Sequence, residues 1–91
     1  MMSDLFSLKD KVIVITGAAG LLGKKHAEAI AAFGGIPILL DLSKIVVDDI
    51  AKNLFLKFSV EAKGFEIDIT NESQVEKNAK LIFNQFGRID G

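Results

Sequence analysis

Cysteine is absent and proline occurs once, at Pro37. The chain therefore has no disulfides and no thiolate metal sites, and it fits a reducing compartment. An excess of one charge is also missing. Eleven Lys and Arg nearly balance twelve Asp and Glu, for a net charge of -1. Such a balance sets up no bulk field toward nucleic acid or an anionic membrane. The longest uncharged stretch near the N-terminus, Val12 to Gly23, is too short to span a bilayer and is broken by glycine. Met1-Met2-Ser3-Asp4 lack the basic start of a signal peptide. The cytoplasm is the expected location, with neither nucleic acid nor membrane as a partner. Ninety-one residues, 49% of them hydrophobic, allow one small domain with its own core.

The run from Thr16 to Gly23, Thr-Gly-Ala-Ala-Gly-Leu-Leu-Gly, is the stretch that organises the rest. The β-branched run Lys11 to Ile15 before it reads as a buried strand. Lys24 to Phe33 after it reads as a helix. Glycines at 17, 20 and 23 allow a sharp turn, close approach of a pyrophosphate and tight helix–strand packing. The helix N-terminus adds free N–H groups and partial positive charge for an anion. A nucleoside-triphosphate loop is excluded. It needs four residues between its glycines and then Lys and Ser or Thr, whereas five separate Gly17 from Gly23 and Lys25 stands at the hydroxyl position.

Strand one is expected over Lys11 to Thr16, after a lead-in from Leu5 to Asp10. Helix one begins near Gly20 to Leu22 and stops at Gly34-Gly35. Strand two runs from Ile36 to Leu40 and closes on Asp41, with Pro37 in its first residues because proline cannot donate to a ladder. Ser43 caps helix two. Val46, Ile50, Leu54 and Phe58, flanked by Val47, Ala51 and Phe55, form its apolar face. Gly64 is expected to break the chain before strand three, Phe65 to Asp68. Asn71 caps helix three, with Gln74 as the reciprocal half of a capping box. Val75, Ala79, Ile82, Phe83 and Phe86 form the buried face of that helix. Arg88 to Gly91 reads as the start of a fourth strand. Alternating strands and helices imply a parallel sheet with right-handed crossovers.

Asp41 lies 24 residues after Gly17, where a carboxylate accepts from adenosine ribose hydroxyls and repels a 2′-phosphate. Leu42 follows it, so no adjacent Arg can take a phosphate, and Lys44 is the nearest cation. NAD is therefore expected over NADP by about tenfold or more. Asp68 falls on the same sheet edge, placed to accept from an adenine amino group with Ile69 beside the ring. Its competing role is a cap before helix three. His26, Lys24 and Lys25 read as packed or solvated helix positions. Asp48 and Asp49 diverge by about 100° around helix two and form no catalytic pair.

Leu8 to Gly17, Asp41, Asp68-Ile69-Thr70 and Phe86 to Asp90 together resemble the N-terminal part of short-chain dehydrogenases/reductases. The resemblance covers nearly the whole chain. It implies an α/β fold, a partial Rossmann-type doubly wound parallel sheet of three strands, the start of a fourth, and three helices. Residues 1–91 would be the N-terminal part of a dinucleotide-binding domain. Gly17, Gly20 and Leu22 would lie on the pyrophosphate, Asp41 on the ribose, and Asp68 with Ile69 on the adenine. One departure concerns Leu21, which occupies the usual place of the middle glycine in the compact branch. The spacing of Gly17, Gly20 and Gly23 is instead similar to the extended branch, which acts on nucleotide sugars. The family's Ser and its Tyr-x-x-x-Lys pair are absent, and the sequence has no Tyr. No catalytic residue and no metal ligand is therefore assigned. The resemblance implies roughly the first third of an enzyme, with a stand-alone nucleotide-binding or interaction module as the alternative. An unpaired edge on strand one would favour self-association.

Overall fold

The computed structural model describes residues 7–91. The elements are β1 (Val12–Thr16), α1 (Leu21–Ala32), β2 (Ile36–Asp41), α2 (Lys44–Phe58), β3 (Lys63–Glu66) and α3 (Glu72–Phe86). The expected lead-in lies partly outside the described residues. Its visible part is tied down, since the Leu8 N–H donates to the Phe33 carbonyl at 2.8 Å.

The three strands form one parallel sheet in the order β1-β2-β3, with β2 in the centre. Thr16 pairs with Leu40, and Asp41 with Glu66. Pro37 is the second residue of this central strand. The pairing with β3 begins only at Ile38, opposite Lys63, so the missing proline N–H costs the ladder no bond. Asp90 and Gly91 lie along the free side of β1. The Asp90 N–H donates to the Val12 carbonyl, and the Val14 N–H donates to the Gly91 carbonyl. The expected fourth strand is thus represented by two backbone bonds rather than by a strand.

Side chains alternate across the sheet, as the pleat requires. Ile15 and Leu39 point to one face, where Ala27 and Ala31 of α1 and Val47, Ile50, Ala51 and Leu54 of α2 cover them. Val12, Ile38 and Leu40 point to the other face, where Ile82 of α3 packs with Ile67. Helix α1 ends as expected. Gly34 has φ +87°, and the Gly35 N–H reaches the Ile30 carbonyl at 2.9 Å, closing a Schellman-type cap.

Three expectations need correction. Strand β3 begins two residues early and ends two early, so Gly64 lies inside it rather than breaking the chain. The reason is packing. A Cβ on Gly64 would stand 2.7 Å from Val47 Cγ2, and only glycine lets α2 sit this close to the strand. The apolar face of α2 holds at Val47, Ile50, Ala51 and Leu54 but is narrower than expected, with Val46 40% and Phe55 57% exposed and Phe58 half-buried. On α3 only Asn78 and Ile82 are buried. Val75, Ala79 and Phe83 are exposed, because among the described residues no other helix packs on this face of the sheet.

Candidate functional site

The strand-to-helix turn after β1 is built by its glycines. Gly17 has φ +64°, in the left-handed region open to glycine. The turn then tightens, with the Gly20 N–H on the Gly17 carbonyl at 3.1 Å. Gly23 sits one turn into α1. A Cβ there would stand 2.5 Å from the Gly17 oxygen and 2.8 Å from Ala18 Cα, both backbone atoms. Gly23 is therefore required by the fold itself. Gly20 is different, since a Cβ there would meet nothing nearer than the Gly17 oxygen at 3.4 Å. Within the protein Gly20 has room, so any demand for glycine there comes from what approaches the turn.

Helix α1 opens without a side-chain cap, because its N-cap is Gly20. Ser43 caps α2 by accepting from the Val46 N–H, and Asn71 caps α3 by accepting from the Gln74 N–H. The first N–H groups of α1 are thus left for water or an anion. Leu21 and Leu22, the first two helical residues, are both exposed at this end.

Asp41 ends β2 beside this turn. Its Oδ2 accepts from the Ala19 N–H at 2.9 Å, and its Oδ1 accepts from the Leu42 N–H at 2.7 Å. A carboxylate has about four lone-pair sites, so roughly two remain for further donors. A cavity of about 250 Å³ opens here, lined by Gly17, Leu40, Asp41, Leu42, Ile67, Asp68, Ile69 and Thr70. The fold brings Gly17, Asp41, Leu42, Asp68 and Ile69 to one place. Leu21, Leu22 and Gly20 stand on the adjoining helix end rather than in the cavity lining.

Asp68 lies two residues beyond β3 and not at its last position, as expected from sequence. Its Oδ1 accepts from the Thr70 N–H at 2.9 Å and the Thr70 hydroxyl at 2.6 Å. These two bonds, the hydroxyl's first, hold its carboxyl below the usual carboxylate value. Oδ2 makes no hydrogen bond among the described residues. Asp68 thus combines a turn-stabilising oxygen with one left for a ligand. Gln74 does not complete a reciprocal box. Its Oε1 reaches past Asn71 to accept from the Asp68 N–H at 3.0 Å. That bond helps to hold the segment carrying Ile69, a link that spacing alone does not reveal. Thr70 as a cavity residue was signalled only by its place two residues after Asp68.

His26 is exposed on α1, as are Lys24 and Lys25. Asp48 pairs with Lys44 at 2.8 Å, one turn away, and not with Asp49. Among the described residues no group of His, Asp and Glu could hold a metal ion, and no helix is long and apolar enough to cross a membrane.

Comparison with known proteins agrees with this geometry. The chain is 39% identical to a sorbose reductase of Candida albicans, over 96% of this chain and 31% of that protein. It is 34% identical to an NAD-dependent glycerol dehydrogenase of Listeria innocua, over 93% of this chain and 32% of that protein. Among solved structures, an NADPH-dependent 3-quinuclidinone reductase of Rhodotorula rubra superposes with a TM-score of 0.91 at 34% identity. The match covers 99% of this chain and 34% of that one. The chain thus spans about a third of the length of the relatives it matches. The family model described as short chain dehydrogenase matches residues 11–91. With that match over most of its length, and a parallel sheet behind a glycine turn, the chain belongs to the short-chain dehydrogenase/reductase family.

Proposed function

We propose that residues 1–91 form the adenosine-binding N-terminal part of an NAD(H)-dependent oxidoreductase acting on a sugar, a polyol or a related alcohol or carbonyl compound. The observation that carries this reading is the Asp41 carboxylate. It is held at the end of β2 against the glycine turn, on a cavity it shares with Gly17, Asp68 and Ile69. The uncapped end of α1, at Gly20, Leu21 and Leu22, receives the pyrophosphate. Asp41 accepts from the ribose hydroxyls with its two spare lone pairs. Asp68 Oδ2 takes the adenine amino group, with Leu42 and Ile69 as apolar walls. A bound nicotinamide supplies the hydride chemistry, and the residues of this chain bind and orient the far end of the cofactor. The substrate class follows the relatives, whose names include a sorbose reductase and a glycerol dehydrogenase.

Relatives divide on the cofactor. An NADP-dependent mannitol dehydrogenase of Alternaria alternata stands beside the NAD-dependent glycerol dehydrogenase. The preference for NAD proposed here rests on the residue at position 41. A 2′-phosphate against Asp41 meets like charge at a cost of order 1 to 4 kcal/mol, depending on exposure. The test is titration of NAD and NADP into the full-length protein and its Asp41→Ser variant. NAD binds the wild type about tenfold or more tightly, and the variant narrows that ratio. Equal affinities in the wild type, or an unchanged ratio in the variant, would refute the reading.

A further inference from the structure

We infer that Asp41 is also a positioning residue for the phosphate-facing turn, acting through the Ala19 N–H. This rests on the cofactor reading only in what the turn is for; the bond itself is a feature of the fold.

Each oxygen of Asp41 is occupied by a different backbone donor. Oδ1 takes the N–H of the following residue, Leu42, and Oδ2 crosses to Ala19, 22 residues away in sequence. Two bonds of this kind fix the plane of the carboxylate, and ionic hydrogen bonds are the stronger class. They also fix the turn. Ala18 donates to the Leu40 carbonyl at 3.2 Å, Ala19 donates to Asp41, and Gly20 donates to Gly17. Three successive N–H groups of the turn therefore have internal acceptors, and two of those acceptors belong to the end of β2. Between the left-handed Gly17 and the first turn of α1, Ala19 has no other anchor among the described residues. The free N–H groups begin after Gly20, and their placement depends on the segment that Asp41 holds.

The consequence concerns specificity. A small side chain at position 41 removes the charge that opposes a 2′-phosphate, and it also releases the turn. The two effects are separable. Asparagine keeps one oxygen at the same reach. The Ala19 N–H is partly buried and takes that oxygen, while the exposed Leu42 N–H turns to water. Asp41→Asn therefore relaxes the discrimination and keeps the turn, whereas Asp41→Ala loses both.

The test uses the full-length protein, its Asp41→Ala and Asp41→Asn variants, and two readouts. The first needs no ligand. Hydrogen exchange of the Ala19 amide, followed by NMR, is about tenfold faster in Asp41→Ala and close to wild type in Asp41→Asn. The second is titration with ADP and with 2′,3′-dideoxy-ADP, which lacks both hydroxyls that Asp41 contacts in the ribose role. A residue that acts only on the ribose leaves the dideoxy ligand equally bound by wild type and Asp41→Ala. A positioning residue weakens it several-fold in Asp41→Ala, with rescue in Asp41→Asn. Unchanged exchange at Ala19, or equal dideoxy-ADP affinity in wild type and Asp41→Ala, overturns the inference. Failure of the wild type to bind ADP overturns the cofactor reading instead, and the exchange readout still decides the role of Asp41 in the turn.

Discussion

The two faces of the sheet are built to different standards. On one, α1 and α2 lie side by side, and the backbones approach so closely that Gly23 and Gly64 have no room for a Cβ. On the other, α3 is the one helix among the described residues, touching the sheet mainly through Ile82 and Phe86 and leaving Phe83 55% exposed. It even buries an amide. Asn78 is 8% exposed, and its Oδ1 has no hydrogen-bond partner among the described residues. The closer packing of this small domain lies between two helices and the sheet, under the glycine turn. The glycine turn is carried by the well-packed face, whereas Leu40 and Ile67 of the cavity lining belong to the α3 face and the Asp68 N–H is held by Gln74 of α3.

The largest effect should come from the core of that face. Leu39 is fully buried between α1 and α2, and Leu39→Ala should cost about 4 kcal/mol in urea unfolding. Ile82→Ala, at an equally buried position on the α3 face, should cost only about 2 kcal/mol, because a lone helix can settle into the space. Equal costs for the two would break the comparison. Gly64→Ala should come next, at about 2 kcal/mol, since its Cβ must push Val47 and with it α2. The same protein carrying Ala79→Ser, on the exposed flank of α3, should unfold at the wild-type urea concentration.

Asn78→Leu should run the other way. Removing an unpartnered buried oxygen should stabilise the protein by about 1 kcal/mol, read as a higher urea midpoint with an unchanged slope. Destabilisation would mean that the amide is satisfied in solution and that the α3 face is better made than it looks.

The smallest effect is in acid. Arg88, at 2.8 Å, and then the Val12 N–H hold the Asp90 carboxyl below the usual carboxylate value. A carboxyl lowered in the folded state contributes stability that is present above its unfolded value and is lost as pH falls through the folded one. The urea midpoint should therefore decline below about pH 4, and less steeply in Asp90→Asn. An identical decline in both would show that the contact along β1 contributes nothing to the acid response.

Much of this architecture is legible in the residues. The alternation of strands and helices, the stop at Gly34, the caps at Ser43 and Asn71 and the left-handed Gly17 follow from local periodicity and turn chemistry. So does the gathering of Gly17, Asp41 and Asp68 on one edge, because parallel strands end together. What tertiary structure alone decided is non-local. Gly64 looks like a break in one dimension and serves as a contact surface for Val47 in three. The buried stripe of α2 is narrower than its apolar face, with Val46 and Phe55 left exposed, because the sheet covers only the side carrying Val47, Ile50, Ala51 and Leu54. Gln74 passed over its neighbour because the Asp68 N–H lay within reach. The bond from Asp41 to Ala19 spans two elements that only the β1–β2 register brings side by side, and no spacing along the chain encodes a distance of 2.9 Å between them.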